Sequence, residues 1–91
     1  MQSLEGHFDG KDIVLLYQGE DKPVHLHVSY PAFDIVTYDN EFPNPVMASA
    51  HLRAALTYKE ACAFLASHGI PKSSQLWHLN HDGPPPDDGT N

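Results

Sequence analysis

Ninety-one residues with 12 acidic side chains against 5 basic ones give a formal net charge of −7, which excludes direct nucleic-acid binding through a basic, phosphate-contacting surface. A hydrophobic fraction of 41% excludes a chain disordered throughout. No run approaches the roughly 18 apolar residues of a membrane span, the first residues carry no basic, signal-like segment, and the single cysteine, Cys62, excludes an intramolecular disulfide; the expectation is a soluble, cytoplasmic protein with no membrane partner.

A chain of this length makes one domain with a modest core. Its first half reads as a β-meander. Asp9-Gly10 is the signal of a two-residue hairpin, joining a strand near residues 3–8 to one over 13–18. The run Ile13-Val14-Leu15-Leu16-Tyr17 is apolar on both faces, as in a strand inside a sheet. Gly19-Glu20-Asp21-Lys22-Pro23 predicts a turn, and residues 24–30 the next strand. Pro31-Ala32 predicts a two-residue connection to a strand over 33–38, and a loop with two prolines follows.

Residues 46–56 fit two patterns. Alternation puts Val46, Ala48, Ala50 and Leu52 on one face of a strand, while Asn44 as cap, Pro45 as first residue and several alanines fit a helix. The strand is preferred because a separate helix starts at once: Thr57-Tyr58-Lys59-Glu60 matches a capping box, and Gly69 stops a helix over about 57–68. A final strand is expected over about 74–80. Residues 1–81 then form a single α+β domain, an antiparallel sheet of four to five strands with one main helix on one face. Residues 82–91, built largely of Pro, Asp and Gly, predict a disordered tail.

Val24-His25-Leu26-His27-Val28 places two histidines on one strand face in a histidine-rich chain of 7. A two-residue hairpin at Pro31-Ala32 would set His27 opposite Val36, Ser29 opposite Asp34 and His25 opposite Tyr38. One face would then gather Val14, Leu16, Val24, Leu26, Val28, Phe33 and Ile35 against the helix, with Phe64 and Leu65 in the same core. The other would gather Tyr17, His25, His27, Ser29, Asp34, Val36 and Tyr38, together with Ile13 and Leu15. Aromatic residues among polar ones mark a binding surface.

An H-x-H pair aims two imidazoles the same way, as a zinc centre requires. The remaining ligands would have to come from residues such as His51, His78, His81, Asp34 or Asp82, since zinc takes three or four. Cys62, on the apolar stripe of its helix, reads as a structural thiol. No serine elbow or glycine-rich phosphate cradle accompanies these residues. The acidic residues are spread over turns and edges, less densely than a DNA-mimic face needs.

The expected function is non-enzymatic binding. The chain reads as a small acidic accessory or inhibitor protein, of the kind a phage or other mobile element carries. It would engage a protein partner, or a second copy as a homodimer, through the mixed sheet face or an edge strand, with no cofactor. The runner-up is a small-ligand or metal site, or a small enzyme, using His25 and His27 with zinc; an acidic DNA-mimic inhibitor stands third.

Overall fold

Asp9 and Gly10 take positive φ values of 49° and 80°, as a type I′ turn requires, and fold β1 (Gln2–Phe8) directly onto β2 (Lys11–Tyr17). The computed structural model, which describes residues 1–79, continues this meander through β3 (Val24–Tyr30) and β4 (Ile35–Phe42). The four strands form one antiparallel sheet in the order β1-β2-β3-β4, with helices on one side, so the class is α+β. The expected tail, 82–91, lies outside the described residues.

Residues 46–56 are helical, contrary to the preferred strand reading. Helix α1 (Pro45–Ala55) starts where Asn44 Oδ1 accepts the Met47 N–H at 3.0 Å, with Pro45 at the first helical position. Pro45, Ala48, Ser49 and Leu52 are its buried residues, a spacing of three and four that only a helix turns to one side. The cap signal at Asn44-Pro45 outweighs the alternation, which alanines and a lone serine define weakly. Two helices therefore cover the sheet rather than one.

Helix α2 (Tyr58–Ser67) has the predicted capping box: Thr57 Oγ1 accepts the Glu60 N–H, and Glu60 Oε1 accepts the Thr57 N–H. It ends in a Schellman turn. Ile70 N–H reaches Leu65 C=O at 3.1 Å and Gly69 N–H reaches Ala66 C=O at 3.0 Å, with Gly69 at φ 69° and Ile70 buried against the core. Among the described residues no helix is long and apolar enough to cross a membrane.

The final strand expected over 74–80 is instead, in its described part, a short 3-10 helix, Gln75–Trp77. Ser74 Oγ caps it by accepting the Leu76 N–H, and Leu76 is fully buried. Two contacts hold this segment away from the sheet edge. The buried Ser49 hydroxyl lies 2.6 Å from His78 C=O. Glu20, in the β2–β3 turn, accepts the Gln75 N–H and the Ser74 hydroxyl, both at 2.7 Å, and the Tyr17 hydroxyl. A segment whose N–H groups are claimed by a carboxylate and by its own turn has none left for a ladder.

The core lies between the helices and one sheet face: Leu4, Ile13, Leu15, Val24, Leu26 and Val28 meet Ala48, Leu52, Ala61, Phe64, Leu65 and Leu76. Helix α2 sits so close to β1 that a Cβ on Gly6 would lie 2.7 Å from the Phe64 ring, which explains a glycine inside a strand. Leu26, Val28, Phe64 and Leu65 are buried as expected, but Phe33 and Ile35 are not: they are 71% and 50% exposed.

Candidate functional site

The face of the sheet turned away from the helices is set by strand register. Tyr17↔Val24 and Ile13↔Val28 pair across β2 and β3, so Ile13, Leu15 and Tyr17 join the core face while Val14 and Leu16 stand beside His27 and His25. This reverses the expected assignment of β2. Both alternating sets of that strand are apolar, and only the pairing with β3 chooses between them.

A second correction comes from the β3–β4 connection. It spans Pro31–Phe33, a 3-10 turn, and Asp34, whose φ of 54° is left-handed, so Tyr30 pairs with Ile35 rather than with Phe33. The register then slips once more, from Ser29↔Val36 to Val28↔Tyr38, leaving Thr37 as the extra residue with its hydroxyl 3.3 Å from Val28 C=O. Two additional loop residues and one bulged residue make an odd shift, which exchanges the faces of β4 beyond Thr37. Tyr38 turns to the helix side and stacks edge-on against His51, with ring centroids 6.0 Å apart. Asp39, absent from the expected site, comes round opposite His27.

The open face therefore consists of three cross-strand rows. The first runs His7, Asp12, Ser29, Val36; the second Glu5, Val14, His27, Asp39; the third Ser3, Leu16, His25, Glu41. Of the residues expected on a binding face, His25, His27, Ser29 and Val36 stand here. Tyr17 and Tyr38 lie on the other face, and Asp34 sits in the connection. The additional members are Ser3, Glu5, His7, Asp12, Val14, Leu16, Asp39 and Glu41. Among the described residues no helix packs on this face. Its central side chains Val14, Leu16, His25 and His27 are half-buried by their neighbours alone.

Asp39 links the two histidines. Its Oδ1 lies 2.6 Å from His25 Nε2 and 3.5 Å from His27 Nδ1. Hydrogen bonds from His25 and then His27 hold its carboxyl below the usual carboxylate range. A second pair, His7 Nδ1 with Asp12 Oδ1 at 2.5 Å, lies across β1 and β2. A depression of about 320 Å³ along these two strands is lined by Glu5, Gly6, His7, Asp12, Ile13 and Val14. Among the described residues, no group of three or more His, Cys, Asp or Glu is placed to hold a metal ion. The short His25–Asp39 contact is a hydrogen bond between exposed side chains.

No lysine or arginine belongs to any of the three rows. Lys11, on the core side of β2, donates to Ala55 C=O at 2.6 Å. Lys22 is in the β2–β3 turn, Arg53 and Lys59 are on the helices, and Lys72 lies 4.2 Å over the Trp77 ring. An exposed apolar tip, Phe33, Ile35 and Val36, adjoins the face at the β3–β4 end.

The missed members had a local signal in part. Val14 and Leu16 could be placed once β2 is assigned the parity that pairs it with Val24 and Val28. Asp39 and Glu41 could not, because the bulge at Thr37 has no composition cue. No protein-family model, no curated protein and no solved structure matches the chain.

Proposed function

We propose that the chain is a non-enzymatic protein-binding module whose open sheet face docks a partner. One observation carries this reading: among the described residues, helices cover one face of the four-stranded sheet and not the other, whose centre is apolar and imidazole while its margins are charged. Binding surfaces have that anatomy, with a core depleted in charge and a polar rim. The net charge of −7 suits an accessory or inhibitor role toward a basic partner. The single cysteine suits a reducing, cytoplasmic setting.

The test is affinity capture with the full chain and two variants that must melt like the wild type. Val14→Asp/Leu16→Asp, which breaks the apolar centre, should lose the captured protein. Lys59→Ala, on the exposed side of α2, should keep it. A partner retained by the first variant, or lost with the second, removes the open face from the reading.

The second reading is a metal site, favoured by the convergence of His25 and His27 on Asp39. Zinc alone decides it: a tight one-to-one complex that raises the melting temperature and is lost in His27→Ala would replace docking as the function of these residues.

A further inference from the structure

Resting on that docking reading, we infer that the occupant of the open face is a cationic protein surface, one that presents lysine or arginine side chains. Three occupants compete for an uncovered sheet face: a second copy, the chain's own C-terminal segment and a different protein. Charge separates them.

The titrating acids of the face are Glu5, Asp12, Asp39 and Glu41, one or two in each cross-strand row, and every lysine and arginine of the chain lies elsewhere. Two copies docked through this face would set carboxylates against carboxylates with no lysine or arginine between them, only the histidines that already meet Asp12 and Asp39 within each copy, and like charges across an interface are repulsive. The residues beyond Leu79 carry Asp82, Asp87 and Asp88 and no lysine or arginine, so they meet the same repulsion.

A cationic partner meets none. Its long side chains have a match in each part of the face. Their aliphatic stems can lie on half-buried Val14 and Leu16, and their charged heads reach the carboxylates at the margins. Arginine gains more than lysine, because its planar fork can take both oxygens of one carboxylate. The acids alternate with imidazole, serine and aliphatic side chains rather than forming a continuous anionic track, so the complement is a mixed basic and apolar protein surface. A phosphate-binding groove, which the DNA-mimic reading would need, is the poorer match.

The test uses a short peptide of alternating arginine and valine, with the glutamate-for-arginine peptide as control, and the full chain at low salt. Asp39→Asn/Glu41→Gln is compared with Asp21→Asn/Glu60→Gln, on the helix side. Both pairs change net charge equally, asparagine suits the left-handed backbone at residue 21, and glutamine can keep the capping box at residue 60. The face pair should weaken the arginine peptide about fivefold, the size of two exposed ion pairs, and the distant pair less than about twofold.

Equal losses for the two pairs would reduce the effect to net charge and overturn the inference. So would binding of the glutamate peptide. A dimer in sedimentation that Val14→Asp/Leu16→Asp dissociates would give the face to a second copy. A spin label at Cys62→Ala/Asn91→Cys that broadens the His25 and His27 resonances would give it to the C-terminal segment. Either overturns the cationic partner. If the peptide fails while capture still depends on Val14 and Leu16, docking stands and its cationic character falls; if capture also fails, docking itself falls.

Discussion

The two faces of the sheet begin from similar material and end as different objects. On β2, Ile13 and Leu15 alternate with Val14 and Leu16, four aliphatic residues in sequence. The first two are fully buried under the helices and the other two remain half-exposed, each with a histidine on its β3 side. The flanking strands make the difference. Leu4, Leu26 and Val28 extend the Ile13–Leu15 side into a continuous apolar surface, while Glu5, His25 and His27 break up the other. A strand that is apolar on both sides thus receives its inside and outside from its neighbours.

Adjacent leucines give the strongest test of this contrast. Leu15→Ala should cost about 2–5 kcal/mol, the usual cost of a cavity under a packed leucine. Leu16→Ala should cost less than about 1 kcal/mol, because its site is open to solvent on one side. Urea denaturation of the two variants measures both. Equal costs would break the assignment of faces; a larger cost at Leu16 would reverse it.

What the sequence disclosed follows the range of each signal. The Asp9-Gly10 turn, the Thr57–Glu60 capping box and the Gly69 stop act over a few residues, and all three stand in the structure. Residues 45–55 carried a correct cap at Asn44-Pro45, yet alanine gives a strand and a helix nearly the same apolar pattern. His25 and His27 were legible as a pair because alternation alone puts them on one face. Their partner Asp39 was not, since its position depends on the four-residue connection and on the bulge at Thr37 together. An error of one residue in register moves every later side chain to the wrong face, as Tyr38 illustrates.

A smaller effect separates the helix side from the open side by acid. Glu20 clasps the β2–β3 turn to the 3-10 helix at Gln75–Trp77. The Tyr17 hydroxyl first, then the Gln75 N–H, hold its carboxyl below its ordinary value of 4.5. A carboxyl lowered in the folded state contributes stability that is present above its ordinary value and lost as pH falls through the lower, folded one. Urea midpoints should therefore fall on acidification below about pH 4.5, and Glu20→Gln should be less stable at neutral pH with a flatter acid limb. Asp39→Asn also removes a lowered carboxyl, but one that lies on the exposed sheet face, and should change the limb less. An unchanged acid limb in Glu20→Gln would dissolve the clasp.

The smallest expected effect lies on the open face itself, near neutral pH. Histidine is the side chain whose charge ordinarily changes between pH 5 and 8, and three of them, His7, His25 and His27, stand on this face. His7 meets Asp12. His25 meets Leu16 on β2 and Glu41 and Asp39 on β4; His27 meets Val14 on β2 and Asp39 on β4. The carboxyl of Asp39 is held below its usual range, so it stays ionised as the pH is lowered from roughly 7.5 to 5.5. A proton gained by any imidazole of this face would add positive charge among the carboxylates without removing that of Asp39. A cationic partner should bind more weakly as pH falls, through lost attraction at each acid and new repulsion at each imidazolium. His25→Gln/His27→Gln keeps two polar side chains without the charge change, so the arginine–valine peptide should lose most of its pH dependence, with the remainder left to His7. A double variant that keeps the full dependence would move the switch to His7 and Asp12. Tighter binding at the lower pH would mean that an acidic surface, rather than a basic one, meets these histidines.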